Sequence, residues 1–186
     1  MVRDDEGSGE VLSDEELVER ARAGDDAALS ELLERHHAAA YRVAFSMLQE
    51  DDAAQDVVQD AFIKAFRALA GFRGEASFRT WILTIAGNEA RGALRRRGRR
   101  RETALEDAGP VRSQQKPPDM EAVDAQEAAW ARKMMETLPE KQKLSVALRI
   151  EEGLSFKEIG EIIGSSEGAA RVNYFHGIRR LRELLQ

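Results

Sequence analysis

The stretch that decides the fold runs from Asp51 to Arg101 and reads DDAAQDVVQDAFIKAFRALAGFRGEASFRTWILTIAGNEARGALRRRGRRR. Its first part carries an apolar stripe at helical spacing, with acidic and amide side chains outside. A glycine-containing loop follows, and then a second helical pattern that ends with seven arginines among its last eleven residues. Such a concentration of arginine in an acidic chain indicates that one edge of the protein meets a polyanion.

The composition limits the class of protein. The 186 residues allow one ordinary domain or two small ones. There is no cysteine, which excludes disulfides and thiolate metal sites, and no apolar run reaches the roughly 18–20 residues that a membrane span needs. The acidic N-terminus also differs from a secretory signal. We therefore expect a cytoplasmic protein without a membrane-inserted segment.

The formal net charge of −6 argues against a nonspecific nucleic-acid coat protein, but the charges are segregated. Residues 1–30 hold ten carboxylates against three arginines, whereas residues 91–101 are almost purely cationic. The arginine run could be a solvated helix end that only keeps the protein soluble. Against that alternative, the helix face that leads into the run has no carboxylates, whereas a solvent-exposed face that only maintains solubility normally mixes acidic and basic side chains. That face consists of Thr80, Thr84, Asn88, Arg91 and Arg95.

Helical periodicity continues on both sides of this stretch, and no segment alternates with a period of two, so we expect an all-α fold. Ser13, Ser77 and Ser155 are placed to cap helices, and Asp51-Asp52 can cap the helix that opens the quoted stretch. The last helix should run from Glu167 to Leu185. Its expected buried side chains are Ala170, Tyr174, Ile178, Leu181 and Leu185.

Composition also divides the chain into two small helical domains joined by a flexible linker. We predict a disordered acidic N-terminus (1–11), a first domain (12–101), a linker (102–125) that holds three of the four prolines, and a second domain (126–186). The second domain has a short capped helix, a glycine-containing turn and a longer basic helix, which is the pattern of a helix-turn-helix. The residues that could reach DNA from its second helix are Ser165, Ser166, Glu167, Gly168, Arg171, Val172, Phe175 and Arg179.

Catalytic and metal sites find no support in the sequence. Asp56 and Asp60 form an acidic pair, but neither lies near a histidine or a glycine-rich pocket in the chain. His36 and His37 are adjacent and lack metal-ligand spacing. There is no P-loop, nucleophile elbow or HExxH motif. We expect no enzyme activity, no metal and no cofactor.

Two segments resemble a known family. DAAQDVVQDAFIKAFRAL followed by FRTWILTIAGNEARGALRRRGRR resembles the second conserved region of bacterial sigma factors, and LPEKQKLSVALRIEEGLSFKEIGEIIGSSEGAARVNYFHGIRRLREL resembles the fourth. The two regions, joined by a short linker without a third domain or a long N-terminal extension, are the arrangement of the extracytoplasmic-function (ECF) group. The resemblance covers residues 13–100 and 126–185. It implies a dissociable subunit that binds core RNA polymerase and directs promoter recognition, DNA melting and transcription initiation, with an anti-sigma factor as a further expected partner.

The resemblance also implies roles for individual residues. The loop Phe72–Phe78 would capture a flipped base of the −10 element, the helix from Glu167 would read the −35 element, and the linker with Glu106 and Asp107 would thread toward the active-site and RNA-exit channels. The residues expected to bind core polymerase are Gln55, Asp56, Val57, Gln59, Asp60 and Phe62. Those expected to contact the −10 element are Phe72, Arg73, Ser77, Phe78, Trp81, Thr84, Asn88, Arg91, Arg95 and Arg96.

The chain departs from the family pattern at a few positions. Gly87 stands where an arginine usually precedes Asn88, and Gly92 replaces the common acidic or amide residue; each glycine weakens the helix by roughly 1 kcal/mol relative to alanine. Basic residues are also missing at Asn173, His176 and Ile178. These departures bear on the promoter sequence and on −35 affinity. Two other functions stay open from the sequence: a stand-alone helix-turn-helix regulator that binds duplex DNA by itself, and a helical adaptor with an incidental basic tail.

Overall fold

The computed structural model describes residues 12–104 and 133–184, and all regular structure in these ranges is helical. The all-α prediction is therefore confirmed for the described residues. The helices whose bounds are described are α1 (Asp14–Arg22), α2 (Asp26–Leu48), α3 (Asp51–Ala68), α4 (Phe78–Ala104), α5 (Glu140–Ile150), α6 (Phe156–Ile163) and α7 (Glu167–Leu184), with a 3-10 turn at Leu69–Gly71. Residues 133–136 are helical as well. None of the helices in these ranges is long and apolar enough to cross a membrane.

The first two helices begin with side-chain caps. The Ser13 hydroxyl accepts a hydrogen bond from the Glu16 N–H at 3.2 Å, and the Glu16 carboxylate accepts one from the Ser13 N–H at 2.8 Å. This reciprocal pair is the predicted capping box, which satisfies two N–H groups that the helix itself cannot pair. Asp25 caps α2 by accepting from the N–H groups of Ala27 and Ala28.

The start of α3 differs from the prediction for Asp51. Asp51 and Asp52 are the first two residues of α3, and the N-cap position belongs to Glu50, which is extended and makes no side-chain cap hydrogen bond. The Asp51 carboxylate instead accepts hydrogen bonds from the Tyr41 hydroxyl and the Gln55 amide. The capping prediction is wrong because the carboxylate serves to tie α3 to α2.

Helices α2, α3 and α4 surround the core of the first domain, and α1 packs across α2. The largest fully buried side chains of the first domain come from these three helices. They are Leu32, Val43, Val58, Phe78, Ile82 and Leu83. This packing fixes the outer faces of α3 and α4, on which most of the predicted contact residues lie.

The second domain contains the predicted helix-turn-helix. Ser155 and Glu158 form a capping box at the start of α6, with bonds of 3.3 and 2.6 Å. Gly164 ends α6 with φ +65°, and the Ser165 N–H donates to the Gly160 carbonyl at 2.8 Å. A Cβ at Gly160 would lie 2.9 Å from the Ser165 carbonyl oxygen, so this tight turn requires glycine there.

The predicted buried stripe of α7 is only partly right. Ala170 and Gly177 are the buried residues of α7. A Cβ at Gly177 would lie 2.7 Å from Val146 Cγ2, so α7 packs directly against α5 at this glycine. The larger predicted side chains flank that approach and are half-buried: Tyr174, Ile178 and Leu181. The last predicted member, Leu185, lies outside the described residues.

The two domains pack against each other. Helix α6 lies on α4, and the buried apolar residues of both domains form one continuous cluster that includes Ile82 and Ile162. Helix α4 continues to Ala104, beyond the predicted domain end at Arg101. The predicted linker 102–125 and the N-terminus 1–11 lie largely outside the described residues, so the domain boundaries stay a prediction.

Candidate nucleic-acid interface

Three aromatic rings meet where the loop after α3 leads into α4. The ring centroids of Phe72 and Trp81 are 4.7 Å apart, and Phe78 lies 6.2 Å from Phe72 and 5.9 Å from Trp81. Phe78 is buried in the core, whereas Phe72 and Trp81 are half-buried. Accessible rings that are held by a buried ring provide a rigid surface on which an unpaired base can stack.

Helix α1 holds this loop in place. The Arg22 guanidinium donates from Nε to the Leu69 carbonyl at 3.1 Å and from Nη2 to the Phe72 carbonyl. An open hollow of about 300 Å³ lies between α1 and the loop, lined in part by Val18, Phe72 and Ser77. The sequence patterns did not indicate Arg22, because its partners lie 47 and 50 residues further along the chain.

The polar residues of the loop are accessible. The Arg73 side chain is 79% exposed and lies 3.0 Å from the Glu75 carboxylate. An exposed pair of this kind contributes only about 0–1 kcal/mol, so Arg73 can exchange its partner for a phosphate. Ser77 caps α4 as predicted, since its hydroxyl oxygen accepts the Thr80 N–H at 3.1 Å.

The polar face of α4 is divided into an accessible and a covered part. Asn88 is exposed, and its Oδ1 accepts a hydrogen bond from Arg91. Thr84 is half-buried, and its hydroxyl donates to the Thr80 carbonyl at 2.9 Å. Arg91 is also half-buried, and its Nε is buried without a hydrogen-bond partner. Its guanidinium packs against Gly164 of the second domain, where Nη1 lies 2.6 Å from the position that a Cβ would occupy. The second domain therefore covers part of the face predicted to meet DNA.

Further along α4, some arginines of the run are exposed to solvent and one forms an ion pair within the domain. Arg95 and Arg96 are exposed. Arg97 instead reaches back to the Glu50 carboxylate at 2.8 Å and ties α4 to the start of α3. The run is therefore partly structural, while Arg95 and Arg96 extend the cationic surface beyond Asn88.

A groove of about 510 Å³ lies between α2 and α3. Its rim carries the exposed polar residues Gln55, Asp56 and Gln59. Its lining also includes residues that the sequence did not predict to bind polymerase. The principal lining residues are Leu33, His37, Phe62, Ile63 and Phe66. Asp60 is exposed on the same helix, whereas Val57 is 4% exposed and lies in the core. Of the predicted polymerase-binding residues, Gln55, Asp56, Gln59 and Phe62 line the groove, although Phe62 is 3% exposed, whereas Val57 and Asp60 do not line it.

Helix α7 presents an accessible face from its first turn onward. Ser166 caps the helix, since its hydroxyl accepts the Ala169 N–H at 3.2 Å. Val172 and Phe175 are 53% and 58% exposed, which is unusual for large apolar side chains. The other predicted readers on this face are exposed except for the half-buried Ser165: Ser166, Glu167, Gly168, Arg171 and Arg179.

Within the described residues, the two arginines of this face form ion pairs with carboxylates of α7 itself. Arg171 pairs with Glu167 at 2.7 Å and lies over the ring of Phe156, 5.3 Å from its centroid. Arg179 lies 3.9 Å from the Glu183 carboxylate. Both carboxylates lie one helical turn away on the same exposed surface. Both guanidiniums can therefore turn to a phosphate or a guanine edge without disturbing the core.

Known proteins share both halves of this arrangement. Residues 32–100 match the family description "Sigma-70 region 2", and residues 128–181 match "Sigma-70, region 4". The chain is 34% identical over 185 residues to the ECF RNA polymerase sigma-E factor of Haemophilus influenzae, covering 95% of both proteins. It is 33% identical over 175 residues to the ECF RNA polymerase sigma-E factor of Escherichia coli K12, covering 89% of this chain and 91% of that protein.

Solved structures agree with the sequence matches. The sigma factor RpoE from Bartonella quintana, in complex with the anti-sigma factor NepR, has a TM-score of 0.67 at 25% identity, covering 84% of this chain and 95% of that one. CnrH, in complex with the cytosolic domain of CnrY, shares the fold with a TM-score of 0.62 at 24% identity, covering 91% and 94%. The chain therefore belongs to the sigma-70 family, in the extracytoplasmic-function (ECF) group of RNA polymerase sigma factors, which direct transcription initiation.

Proposed function

We propose that this chain is a dissociable, non-enzymatic promoter-specificity subunit that works in the cytoplasm. In this role it docks on core RNA polymerase through the groove between α2 and α3. It reads the −10 element with the Phe72–Phe78 loop and α4, and the −35 element with α7. The observation that carries the proposal is the presence, on one chain, of an apolar docking groove and two separate cationic faces.

The groove suits a helical partner. Apolar lining with a polar rim is the surface into which an amphipathic helix lays its apolar face. Asp56 on the rim and the exposed Asp60 supply negative charge on α3. A helix of polymerase that carries basic residues beside an apolar stripe complements this surface in shape and in charge.

The aromatic loop suits one unpaired base. Holding a flipped base offsets an unstacking cost of a few kcal/mol, and an aromatic surface contributes about 1–3 kcal/mol per stacked base. Phe72 and Trp81 supply that surface, while Arg73 supplies a cation for the adjoining phosphate. Asn88, Arg95 and Arg96 on α4 then track the strand upstream of the flipped base.

Helix α7 suits duplex DNA. The N-terminal residues of the second helix in a helix-turn-helix contact base edges in the major groove. Arg171 supports bidentate readout of guanine, while Val172 and Phe175 support apolar contact with thymine methyl groups. Two modest sites on a single chain act as a bivalent binder, because engagement of one raises the effective concentration of the other.

A regulatory partner is part of the proposal. The Bartonella quintana relative binds an anti-sigma factor. The exposed apolar residues of this chain, Ile63 on α3 and Phe175 on α7, give such a protein surfaces to cover while the sigma factor is held inactive. Covering them would block polymerase docking and −35 recognition together.

The docking groove can be tested by charge reversal. Replacing Asp56 and Asp60 together with arginine should abolish binding to core polymerase on gel filtration, because the substitutions place two cations on the groove's acidic side. The helical circular dichroism spectrum should not change, since both side chains are exposed. Glu161→Arg, a reversal of an exposed charge on α6, serves as the matched control and should bind normally. Intact core binding by the double variant would contradict this docking surface.

A further inference from the structure

The hollow between α1 and the loop after α3 has a wall that the sequence did not predict to contact DNA. Helix α1 contributes three acidic residues to this wall: Asp14, Glu15 and Glu19. The loop and the start of α4 contribute two aromatic residues and a serine: Phe72, Phe78 and Ser77. The hollow therefore combines an aromatic surface with groups that accept hydrogen bonds.

Asp14 is held in place by side chains of another helix. Its Oδ2 lies 2.6 Å from Nε2 of His36, and its Oδ1 accepts a hydrogen bond from Nη1 of Arg35 at 3.2 Å. The Asp14 side chain is 22% exposed. Glu19, by contrast, is 71% exposed and pairs within its own helix, and Glu15 is exposed. Of the three carboxylates, Asp14 has the most restricted position.

His36 connects this carboxylate to the aromatic side of the hollow. The His36 side chain is buried, and its ring centroid lies 5.4 Å from that of Phe78. Phe78 is the buried ring that supports Phe72 and Trp81. One histidine thus contacts both the acceptor group and the ring behind the stacking surface, so the two keep a constant relative position.

The two arginines that line the hollow have other partners. The Arg22 guanidinium holds the loop through two backbone carbonyls. Arg73 is 79% exposed and pairs with Glu75. A carboxylate has about four lone-pair sites, and the bonds of Asp14 with α2 occupy two of them. Asp14 can therefore accept a further hydrogen bond from a ligand in the hollow.

A fixed carboxylate distinguishes the bases by their amino groups. A flipped base is read by hydrogen bonds to its Watson–Crick edge. Cytosine, adenine and guanine each carry an exocyclic amino group that can donate to a carboxylate, whereas thymine carries carbonyl oxygens in place of an amino group. A thymine oxygen that faces Asp14 would leave two acceptors together without a donor, which is costly where water is excluded. The hollow therefore favours an amino-bearing base.

We propose that Asp14 is a specificity-determining residue for the flipped base: it accepts a hydrogen bond from an exocyclic amino group and so disfavours thymine. His36 and Arg35 are positioning residues that hold the carboxylate for this contact. The inference rests on the proposed function, because that function supplies the flipped base. It adds a criterion by which the base is chosen, which the aromatic rings alone cannot provide, since every base has a face that stacks.

Run-off transcription with core polymerase tests the proposal, on templates that carry each of the four bases in turn at every position of the −10 element. With the wild-type chain, one position should give about tenfold less transcript with thymine than with the best amino-bearing base. Asp14→Asn keeps the shape of the side chain and adds an amide donor for a thymine oxygen, so thymine should come within about twofold at that position. Glu31→Gln is the matched control and should keep the discrimination against thymine. It removes the same charge and another carboxylate partner of Arg35, but it lies outside the hollow.

A change in the DNA gives the same information without altering the protein, and it decides the question if Asp14→Asn disturbs the fold. At the discriminating position, 2-pyrimidinone in place of cytosine, or purine in place of adenine, removes only the exocyclic amino group; hypoxanthine does the same for guanine. Transcription with the wild-type chain should then fall about as far as with thymine. Undiminished transcription without the amino group would overturn the role of Asp14, as would thymine accepted at every position or a discrimination that a folded Asp14→Asn protein retains. A wild-type chain that directs transcription from none of the templates would instead contradict the proposed function.

The positioning role of His36 has its own readout, the ratio of transcript with thymine to transcript with the preferred base. His36→Phe keeps a ring against Phe78 and removes the N–H that faces Asp14, so this ratio should rise several-fold while core binding on gel filtration persists. His36→Gln keeps an N–H donor and should leave the ratio closer to that of the wild type. If both variants lowered transcription from all templates equally and left the ratio unchanged, His36 would be a structural residue only.

Discussion

At the scale of single residues, Arg22 connects α1 to the loop that faces the flipped base. Its guanidinium donates to the carbonyls of Leu69 and Phe72, at the two ends of a short turn that no other described side chain holds in this way. Phe72 in turn positions its ring against Trp81. A base pocket must be held rigid before the base arrives, because ordering it on binding would consume part of the affinity.

Replacing Arg22 with alanine should therefore weaken −10 recognition while core binding persists. Each charged hydrogen bond contributes about 1.5–3 kcal/mol, so promoter opening should fall roughly tenfold or more. Arg20→Ala is the matched control, because Arg20 is exposed and forms its ion pair with Asp25 at the start of α2, away from the loop. Promoter opening measured by permanganate reactivity of the melted strand would separate the two, and an unchanged Arg22→Ala protein would remove this residue from the reader.

Some residues of the candidate interface could be predicted from the sequence and others could not. Phe72 and Trp81 could be singled out because the resemblance to the second sigma-factor region is carried by the continuous stretch that contains them. Arg22 could not, because the pairing joins segments about 50 residues apart. Gly87 was interpreted only as a weak point of a helix. The structure shows that a side chain at this position would collide with Ile162 of α6, since a Cβ would lie 2.6 Å from its Cγ2. No local sequence pattern specifies where that second helix lies.

At the scale of elements, α6 is the short helix on which both the helix-turn-helix and the domain contact depend. It has eight residues, so its stability relies on its cap and its packing rather than on length. Glu158 contributes to both, since it bonds Ser155 in the capping box and Thr80 on α4. The lowered pKa of Glu158 means that the folded protein favours its ionised form.

The charge of Glu158 should make stability depend on pH in a defined direction. A carboxylate whose pKa in the folded state is below its usual 4.5 stabilises the fold above pH 4.5, and that contribution is lost as pH falls through the lowered pKa. Glu158→Gln should lower the free energy of unfolding at pH 7 by about 0.3–1 kcal/mol, as expected for a carboxylate at a helix N-terminus. Urea unfolding at pH 7 and pH 3 measures the effect; a difference from wild type that is the same at both values would contradict it. Glu161→Gln on the same helix should show a smaller change.

Elements also show why some sequence expectations failed. The capping boxes at Ser13 and Ser155 were predictable because a serine and a glutamate three residues apart complete each other within one turn. Asp51 was misassigned because a hydroxyl from α2 engages its carboxylate. The buried stripe of α7 was overestimated because α7 packs against α5 at Gly177, a residue that the periodicity of large apolar side chains does not reveal.

At the scale of the whole molecule, the two helical domains could be predicted from the sequence, whereas their docking could not. Periodicity reports that a helix has an apolar face but not which domain covers its other side. Where α6 crosses α4, Gly87 leaves room for Ile162, and the buried Glu152 carboxylate pairs with Arg42 and Arg79 of the first domain.

The central claim is that this chain gives core RNA polymerase its choice of promoter, and run-off transcription from a randomised promoter library tests it most directly. With core enzyme and the purified chain, we expect transcripts only from templates that share two short elements at one fixed spacing, because both readers belong to one polymerase-bound chain. Core enzyme alone should select none of them. Failure of the chain to confine transcription to such templates, or protection of a palindromic duplex by the chain alone that core enzyme does not alter, would contradict the account.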